Sequence, residues 1–174
     1  MVELEKVILF GTPEGISHLQ VDISPVLEDA EAFDDAREYM YQMFEREVYD
    51  VVIAVESAGT VFAASVAERM HRPLVIVGER DSMLRETVSG TIETYHGART
   101  LRIPRDSIKQ GTRAIIIGDV LSHGKDVLAA VNLVRGLGGS IVKIGIFLEH
   151  SDFKARRKLL KGIPLESRII TEDL

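Results

Sequence analysis

Short apolar runs recur along the chain and alternate with amphipathic stretches. Runs rich in Val and Ile that are apolar on both faces are typical of buried parallel strands. They occupy residues 6–10, 50–55, 73–77, 114–117 and 141–148. The stretches between them that have helical spacing are 28–47, 60–70 and 126–137, the last with Asp126 as its predicted N-cap. This alternation predicts an α/β fold with a doubly wound, mainly parallel sheet.

Residues 78–112 interrupt the alternation. Their first part, GERDSMLRETVSG, is polar and uneven, and it predicts a flexible loop. The following TIETYHGARTLRIP alternates like a β-hairpin with YHGA at its turn. Arg99, Arg102 and Arg105 are predicted to form a solvated face of this hairpin. A long excursion of this kind inside a compact domain is usually functional.

Composition narrows the classes of protein. A chain of 174 residues fits one domain spanning 1–174, and its net charge of -6 argues against broad affinity for nucleic acid or anionic membranes. There are 0 Cys, which excludes thiolate chemistry, and no apolar run approaches the ~20 residues of a membrane span. A cytoplasmic location is expected. The basic stretch 154–161 is predicted to be a solvated or dimer-facing surface.

Two glycine-containing turns follow predicted strands: ESAGT at 56–60 and DVLSHGKD at 119–126. In doubly wound sheets ligands bind beyond the carboxyl ends of the strands, so these turns are expected to lie side by side. In the second turn, Ser122, Gly124 and Lys125 suit an anion at a helix N-terminus. Asp126 competes for the same N–H groups, which leaves a plain capped helix as the alternative. His123 is a further candidate donor or acid–base group.

Four segments resemble the type I phosphoribosyltransferases, and the adenine phosphoribosyltransferase branch most closely. They are VDISPVLEDAEAF (21–33), IAVESAGTVFAASVAERMHRPLVIV (53–77), GARTLRIPRDSIKQGTRAIII (97–117) and GGSIVKIGIFLEHSDFKARRKLL (138–160). The resemblance implies a small N-terminal hood at about 1–27 and a flexible loop and hairpin at about 78–112. It also implies a homodimer that transfers ribose 5-phosphate from phosphoribosyl pyrophosphate, with Mg²⁺, to a purine base.

The resemblance also implies roles for individual residues. Asp119 would contact the ribose, or be only a solvated acid at a strand end, and Tyr95 or His96 would close the site during catalysis. The remaining assignments are Ser122, His123, Gly124, Lys125 and Asp126 for the phosphate loop, Glu56, Ser57, Ala58 and Gly59 for the pyrophosphate loop, and Leu19, Gln20 and Val21 for the hood over the base. No metal site formed by the protein alone is predicted, because no two of the five histidines have metal-type spacing.

The chain departs from the family pattern at several positions that the family uses for binding and catalysis. Gly118 replaces the first of two ribose acids, Ala58 replaces an arginine, and Gly78 and Glu79 replace an Arg-Lys pair. Gln20 replaces a base-stacking Phe. These changes predict a protein that binds a ribose 5-phosphate ligand, such as a nucleotide, with very weak or absent adenine transfer.

Two other classes stay open: a non-catalytic nucleotide sensor or regulatory subunit, and a purely structural dimer or interaction module. The homodimer is also expected from apolar residues, Val61 and Phe62, that a small sheet protein is predicted to leave partly uncovered.

Overall fold

The computed structural model of the chain describes residues 9–11, 20–81, 84–94, 97–158 and 160–171. Its helices and strands, in chain order, are β1 (Leu9–Gly11), β2 (Gln20–Asp22), α1 (Ser24–Glu28), α2 (Ala30–Gln42), β3 (Val51–Val55), α3 (Thr60–Arg69), β4 (Leu74–Val77), β5 (Thr87–Thr94), β6 (Gly97–Pro104), β7 (Arg113–Leu121), α4 (Lys125–Gly136), β8 (Ser140–His150), α5 (Ala155–Lys158) and β9 (Leu165–Thr171).

The central sheet has five strands in the order β4-β3-β7-β8-β9, and every neighbouring pair is parallel. The predicted parallel strands at 50–55, 73–77, 114–117 and 141–148 are therefore confirmed. The first predicted strand is not part of this sheet, because its described end pairs antiparallel with β2 in a separate two-stranded sheet. The fifth place is taken by β9, which the apolar pattern did not indicate.

Apolar side chains cover both faces of the sheet, as the runs of Val and Ile predict. On one face Ala54 and Ile117 pack under α2 and α3, where the buried rings of Phe62 and Phe147 lie 5.1 Å apart. On the other face Ile53 and its neighbours pack under α4 and the hairpin. Because Phe62 is completely buried in this core, the expectation that it lies on an uncovered surface was wrong.

The predicted helix 28–47 corresponds to α2, which is shorter at both ends, since Asp29 ends α1 and caps α2 and the helix stops at Gln42. The Asp29 carboxylate accepts a hydrogen bond from the Ala32 N–H at 2.8 Å, as N-cap residues commonly do. The basic stretch 154–161 is helical only over α5. Arg156 is directed inward, where it pairs with the buried Glu149 and donates to the Leu165 carbonyl at 2.6 Å. This arginine joins β8 to β9 and is half-buried, whereas Lys154, Arg157, Lys158 and Lys161 are exposed.

The segment between β4 and β7 contains an antiparallel hairpin, β5–β6, whose register runs from Thr87↔Pro104 to Thr94↔Gly97. The hairpin begins four residues earlier than the alternation predicted, because TVSG pairs with the end of β6 and does not belong to the preceding loop. Gly78, directly after β4, forms an antiparallel bridge with Arg102. The hairpin is thereby attached to the carboxyl end of the sheet.

Candidate functional site

The two predicted loops meet at the carboxyl edge of the sheet. β3 and β7 are neighbours with Ala54 opposite Ile117, so the turns that follow them leave the same edge. A Cβ on the buried Gly59 would lie 2.5 Å from the backbone nitrogen of Asp119. Only glycine allows this close approach. The predicted juxtaposition of the loops is thus confirmed, and the ends of β3 and β7 are where an open α/β sheet is expected to bind a ligand.

The predicted turn at 119–126 is shorter than expected. β7 continues to Leu121, because Gly118, Val120 and Leu121 pair with β8. Asp119 therefore lies on a strand, half-buried and next to Gly59. A carboxylate on a paired strand is held more rigidly than one on a loop, which suits the role of holding one ligand hydroxyl.

Helix α4 begins at Lys125 with Gly124 as its N-cap, so the prediction of Asp126 as the N-cap was wrong. Gly124 is left-handed, with φ 70° and ψ 13°, a conformation that residues with a Cβ rarely adopt. Asp126 lies in the first turn, and its Oδ1 accepts a hydrogen bond from the Val127 N–H at 2.8 Å. The carboxylate thus accepts a hydrogen bond from one of the backbone N–H groups that a bound phosphate would need.

The electrostatic surroundings of Asp126 are mixed. Burial raises the pKa of Asp126, and the nearby Asp119 carboxylate raises it further. The backbone amides of Val127 and Asp126 itself, and the Arg99 guanidinium, partly offset this rise. Asp119, Asp126 and Arg99 are therefore close enough to influence one another at the start of α4.

Lys125 is directed towards the hairpin, where its Nζ donates to the Glu93 carbonyl at 2.7 Å. This contact lies at one end of an apolar groove of about 680 Å³ between β5 and α4, lined by Val88, Ile92, Leu128 and Leu133. The role of Lys125 as a phosphate ligand requires it to leave Glu93, and that role stays a prediction.

The two histidines at this edge are placed in an aromatic cluster. The ring centroids of His123 and Phe153 are 4.1 Å apart, and the buried His150 lies edge-on to Phe153 at 4.9 Å. A Cβ on Gly124 would lie 3.0 Å from the Cβ of Ala155. The phosphate-loop turn therefore packs on the segment after β8. Ser122 is half-buried in this turn, and its phosphate contact stays a prediction.

The hydroxyl of Ser57 stabilises the turn of the predicted pyrophosphate loop. Ser57 Oγ donates to the Val55 carbonyl at 3.0 Å and accepts from the Gly59 N–H at 3.2 Å. Ala58 is partly buried against the core beneath α3. The exposed carboxylate of Glu56 extends over Gly78, in the space that a Cβ there would fill, and accepts from the Glu79 N–H at 2.9 Å.

The hairpin arginines are not the solvated face that their spacing suggested. Residues three apart on a strand lie on opposite faces, because the side-chain period is two. Arg99 Nε donates to Glu79 Oε1 at 2.6 Å, and Arg102 Nη1 donates to the Glu79 carbonyl at 2.7 Å. Arg105 pairs with Glu86 instead, away from the end of β4. Sequence reasoning missed Arg99 as a site residue, although the two-residue period of β6 gives it the same face as the buried Leu101 and Ile103.

Several predicted site residues lie outside the described ranges: Tyr95, His96 and Leu19. Gln20 is described only as the start of β2, and Val21 is half-buried and packs against the core under α2. Within the described ranges, no group of three or more His, Cys, Asp or Glu side chains is arranged to hold a metal ion. No helix in these ranges combines the length and apolar character needed to cross a membrane.

Comparisons with known proteins agree with this architecture. Residues 23–164 match the family model described as phosphoribosyl transferase domain. The adenine phosphoribosyltransferase of Thermoanaerobacter sp. (strain X514) is 35% identical over 148 residues, which are 85% of this chain and 85% of that protein.

Two solved structures show the same fold. The crystal structure of adenine phosphoribosyltransferase from Thermoanaerobacter pseudethanolicus has a TM-score of 0.90 at 30% identity, covering 97% of this chain and 98% of that one. The Trypanosoma brucei enzyme, solved with AMP, pyrophosphate and ribose-5-phosphate, has a TM-score of 0.86 at 16% identity, covering 97% of this chain and 78% of that one. With the family model matching most of its length, this chain belongs to the type I phosphoribosyltransferase family and is similar to its adenine phosphoribosyltransferases.

Proposed function

We propose that this protein binds a nucleoside monophosphate, with a purine base, in the crevice between the 56–60 and 122–124 turns. We further propose that it transfers a phosphoribosyl group to adenine very slowly or not at all. The observation that carries the proposal is the contact of Gly59 with Asp119, which joins a strand-end carboxylate to two helix-forming turns. The T. brucei relative holds AMP, pyrophosphate and ribose-5-phosphate on the same fold.

In this proposal the phosphate binds at the start of α4. Backbone N–H groups and the helix dipole favour an anion there, and Gly124 allows its close approach. Ser122 supplies a hydroxyl, and Lys125 supplies a charge after it leaves the Glu93 carbonyl. The Asp126 carboxylate already accepts from the Val127 amide, so a phosphate has to displace or share that contact. Binding is therefore weaker than the loop architecture alone would give.

The remaining parts of the ligand follow from the positions of the loops. Asp119 accepts a hydrogen bond from a ribose hydroxyl, and the family resemblance assigns Tyr95 or His96 to closing the site during catalysis. The family resemblance assigns the base to the hood residues Leu19, Gln20 and Val21, where Gln20 replaces a base-stacking Phe.

Weak transfer follows from the charges around the pyrophosphate loop. Glu56 and Glu79 lie together at the end of β4, and Ala58 carries no cation. Pyrophosphate carries several negative charges and is poorly matched to two carboxylates. Gly118 provides no second acid beside Asp119 to stabilise positive charge on the sugar. Removing one preorganised electrostatic group commonly costs ~3 kcal/mol of barrier.

Magnesium fits this site only together with the ligand. Mg²⁺ in phosphate sites is held by one or two carboxylates plus the phosphate oxygens of the substrate. Asp119 is the described carboxylate suited to that role, and Mg²⁺ bound there with a phosphoribosyl donor would neutralise phosphate charge.

A homodimer in the cytoplasm completes the proposal. Val61 on α3 is 40% exposed and Ile76 on the edge strand β4 is 45% exposed, which gives an apolar surface for a second copy. Light scattering at micromolar concentration is expected to give about twice the chain mass of 19.3 kDa, and a result near 19.3 kDa would rule out the dimer.

A second candidate function, a non-catalytic nucleotide sensor or regulatory subunit, is favoured by one observation. The carboxylates of Glu56 and Glu79 occupy the pyrophosphate side of the crevice, while the phosphate loop keeps its turn and helix. A sensor needs only the phosphate side. Calorimetry with inorganic pyrophosphate separates the two, because an enzyme using the pyrophosphate donor binds pyrophosphate and a sensor need not.

Calorimetry with AMP, beside an assay with radiolabelled adenine and phosphoribosyl pyrophosphate, tests the main proposal. We expect AMP binding and adenine turnover far below ~1 per second. No binding at millimolar AMP would mean that the loop is only a helix start. Turnover at ~1 per second or faster would mean that the replaced residues are not needed for transfer.

A further inference from the structure

Two arginines of β6 are attached to the carboxyl end of β4 through Glu79. Arg99 reaches the carboxylate of Glu79, and Arg102 reaches its carbonyl oxygen. Two backbone hydrogen bonds between Gly78 and Arg102, of 3.2 and 2.7 Å, join the same segments. The hairpin is thus fixed beside the crevice by main-chain contacts that do not depend on the Arg99 side chain.

Arg99 projects from the face of the hairpin that packs on the sheet. On β6 it lies on the same face as Leu101 and Ile103, which are 1% and 0% exposed. Across the hairpin it is paired with Ile92. Ile92 packs against the core cluster beneath α4. The Arg99 side chain is 37% exposed, so it lies at the border between this core and the crevice.

The guanidinium of Arg99 lies between the two loops of the site. Towards the 56–60 turn it contacts Glu79, whose N–H is held by Glu56. Towards the start of α4, the hairpin register places Arg99 opposite Ile92, the neighbour of Glu93, whose carbonyl accepts from Lys125 Nζ. Arg99 also lowers the pKa of the Asp126 carboxyl. The acidic side chains on the two turns and the end of β7 are Glu56, Asp119 and Asp126. Lys125 is engaged with Glu93.

A phosphate dianion placed among these carboxylates needs a cation, and Arg99 is positioned to provide it. We propose that Arg99 is a specificity-determining residue that binds the phosphate of the nucleotide at the start of α4, in competition with its ion pair to Glu79. The inference rests on the proposed nucleotide binding. A guanidinium has five N–H donors in a planar fork, and the Glu79 contact uses Nε, so the Nη edge can bind phosphate in a bidentate manner.

The competing explanation is that Arg99 only fastens the hairpin to β4. A change at Glu79 removes that role just as a change at Arg99 does, because the ion pair between these two side chains needs both partners. Glu79→Gln therefore separates the two explanations. If Arg99 binds phosphate directly, Glu79→Gln removes a competing carboxylate and AMP binds as tightly as before or more tightly. If Arg99 is only a fastener, AMP binding falls in Glu79→Gln as it does in Arg99→Ala.

Titration calorimetry of the full chain with AMP and with ribose 5-phosphate tests the proposal. Arg99→Ala is expected to weaken both ligands by about tenfold to a hundredfold, as loss of a charged hydrogen bond does. Arg99→Lys is expected to recover part of that loss, since it keeps the charge without the fork. Arg105→Ala is the matched control, because Arg105 makes the same kind of Nε contact, 2.7 Å, with Glu86 away from the crevice. It is expected to leave both affinities unchanged, and thermal unfolding verifies that each variant is folded.

The outcomes separate this inference from the proposed function. Unchanged AMP affinity in Arg99→Ala, in a wild-type protein that binds AMP, overturns the role of Arg99 and leaves nucleotide binding intact. Equal losses in Arg99→Ala and Glu79→Gln also overturn it in favour of a fastener. A wild-type protein that binds neither ligand at millimolar concentration overturns both proposals.

Discussion

Two aspartates at opposite ends of the strands of the central sheet have pKa values that are shifted in opposite directions. At the amino edge, Asp50 precedes β3 and accepts from the N–H, Nε and Nη2 of Arg113 at 2.9, 3.0 and 2.8 Å. These hydrogen bonds hold the pKa of Asp50 well below its usual range. At the carboxyl edge, burial and Asp119 raise the pKa of Asp126. A carboxylate that is fully paired belongs to the scaffold, whereas one held against its electrostatic preference marks a site that a ligand can change.

The largest effect is expected from adding a side chain at Gly59, where the 56–60 turn packs on the backbone of β7. In Gly59→Val the Cβ would lie 2.5 Å from Asp119 N and 2.9 Å from the Gly118 carbonyl carbon, both backbone atoms that cannot rotate away. We expect a loss of roughly 1–3 kcal/mol in the free energy of unfolding, and loss of AMP binding. Urea denaturation and calorimetry measure the two effects.

Gly136→Ala is the control for this substitution. Gly136 ends α4, and a Cβ there meets nothing within 4 Å. It is expected to leave stability unchanged or to raise it by up to ~1 kcal/mol. If Gly59→Val proved as stable as wild type and bound AMP normally, the tight contact between the loops would not be needed for the crevice.

The next effect concerns the charge at the start of α4. Asp126→Asn keeps the shape of the side chain and removes the charge that opposes a phosphate. We expect AMP to bind about tenfold more tightly at pH 7, which is ~1.4 kcal/mol. Because protonation of Asp126 has the same effect, the advantage of the variant should shrink as the pH is lowered from 7 to 5. Calorimetry at several pH values measures this ratio.

The same substitution changes stability with pH in a defined direction. The raised pKa of Asp126 means that the folded protein binds this proton more tightly than the unfolded chain does. The unfolding free energy of the wild type therefore falls as the pH rises from 3.8, the ordinary pKa of an aspartate, towards the raised pKa of Asp126. Asp126→Asn lacks this loss, so its unfolding free energy relative to wild type should be higher at pH 7 than at pH 3. A constant difference across that range would contradict the raised pKa.

The sequence predicted the sheet better than its edges. β3, β4, β7 and β8 are buried on both faces, so unbroken runs of Val and Ile reveal them. β9 was missed because it is an edge strand, half-buried along most of its length, with Glu166 and Arg168 breaking the apolar run. β7 was cut short because Gly118 and Asp119 favour turns, whereas pairing with β8 overrides that local preference.

For the site, the sequence located both turns but not the contacts of their side chains. Which group occupies the first amides of α4 depends on Gly124 being left-handed, and the sequence pattern indicated Asp126 as the cap instead. Arg99 was interpreted as a surface residue because its partner Glu79 lies twenty residues away, and only the hairpin register brings them together. Long-range pairing of charged side chains leaves no periodic signal in the chain.

A smaller effect is expected from Lys125→Ala. A hydrogen bond from a cation to phosphate contributes ~1.5–3 kcal/mol, but Lys125 gives up its bond to the Glu93 carbonyl to make it. We therefore expect a net loss of about 1 kcal/mol in AMP binding, measured by calorimetry. Lys125→Arg is the matched variant and should lose less. An unchanged affinity in Lys125→Ala would show that the lysine stays on the hairpin in the complex.

The smallest effect on ligand binding is expected at the amino edge. Asp50→Asn removes the carboxylate that Arg113 holds, at the opposite end of the sheet from the crevice, so AMP affinity should not change. Its effect should appear instead in the pH dependence of stability. A group whose pKa is depressed by folding stabilises the protein above its unfolded value, near 3.8, and this contribution is lost as the pH falls towards the depressed value. Wild type should therefore lose stability between about pH 5 and pH 2 more steeply than Asp50→Asn, as followed by urea denaturation at each pH. A change in AMP affinity in this variant would mean that the two edges are coupled through β3 and β7, and the separation between scaffold and site would fail.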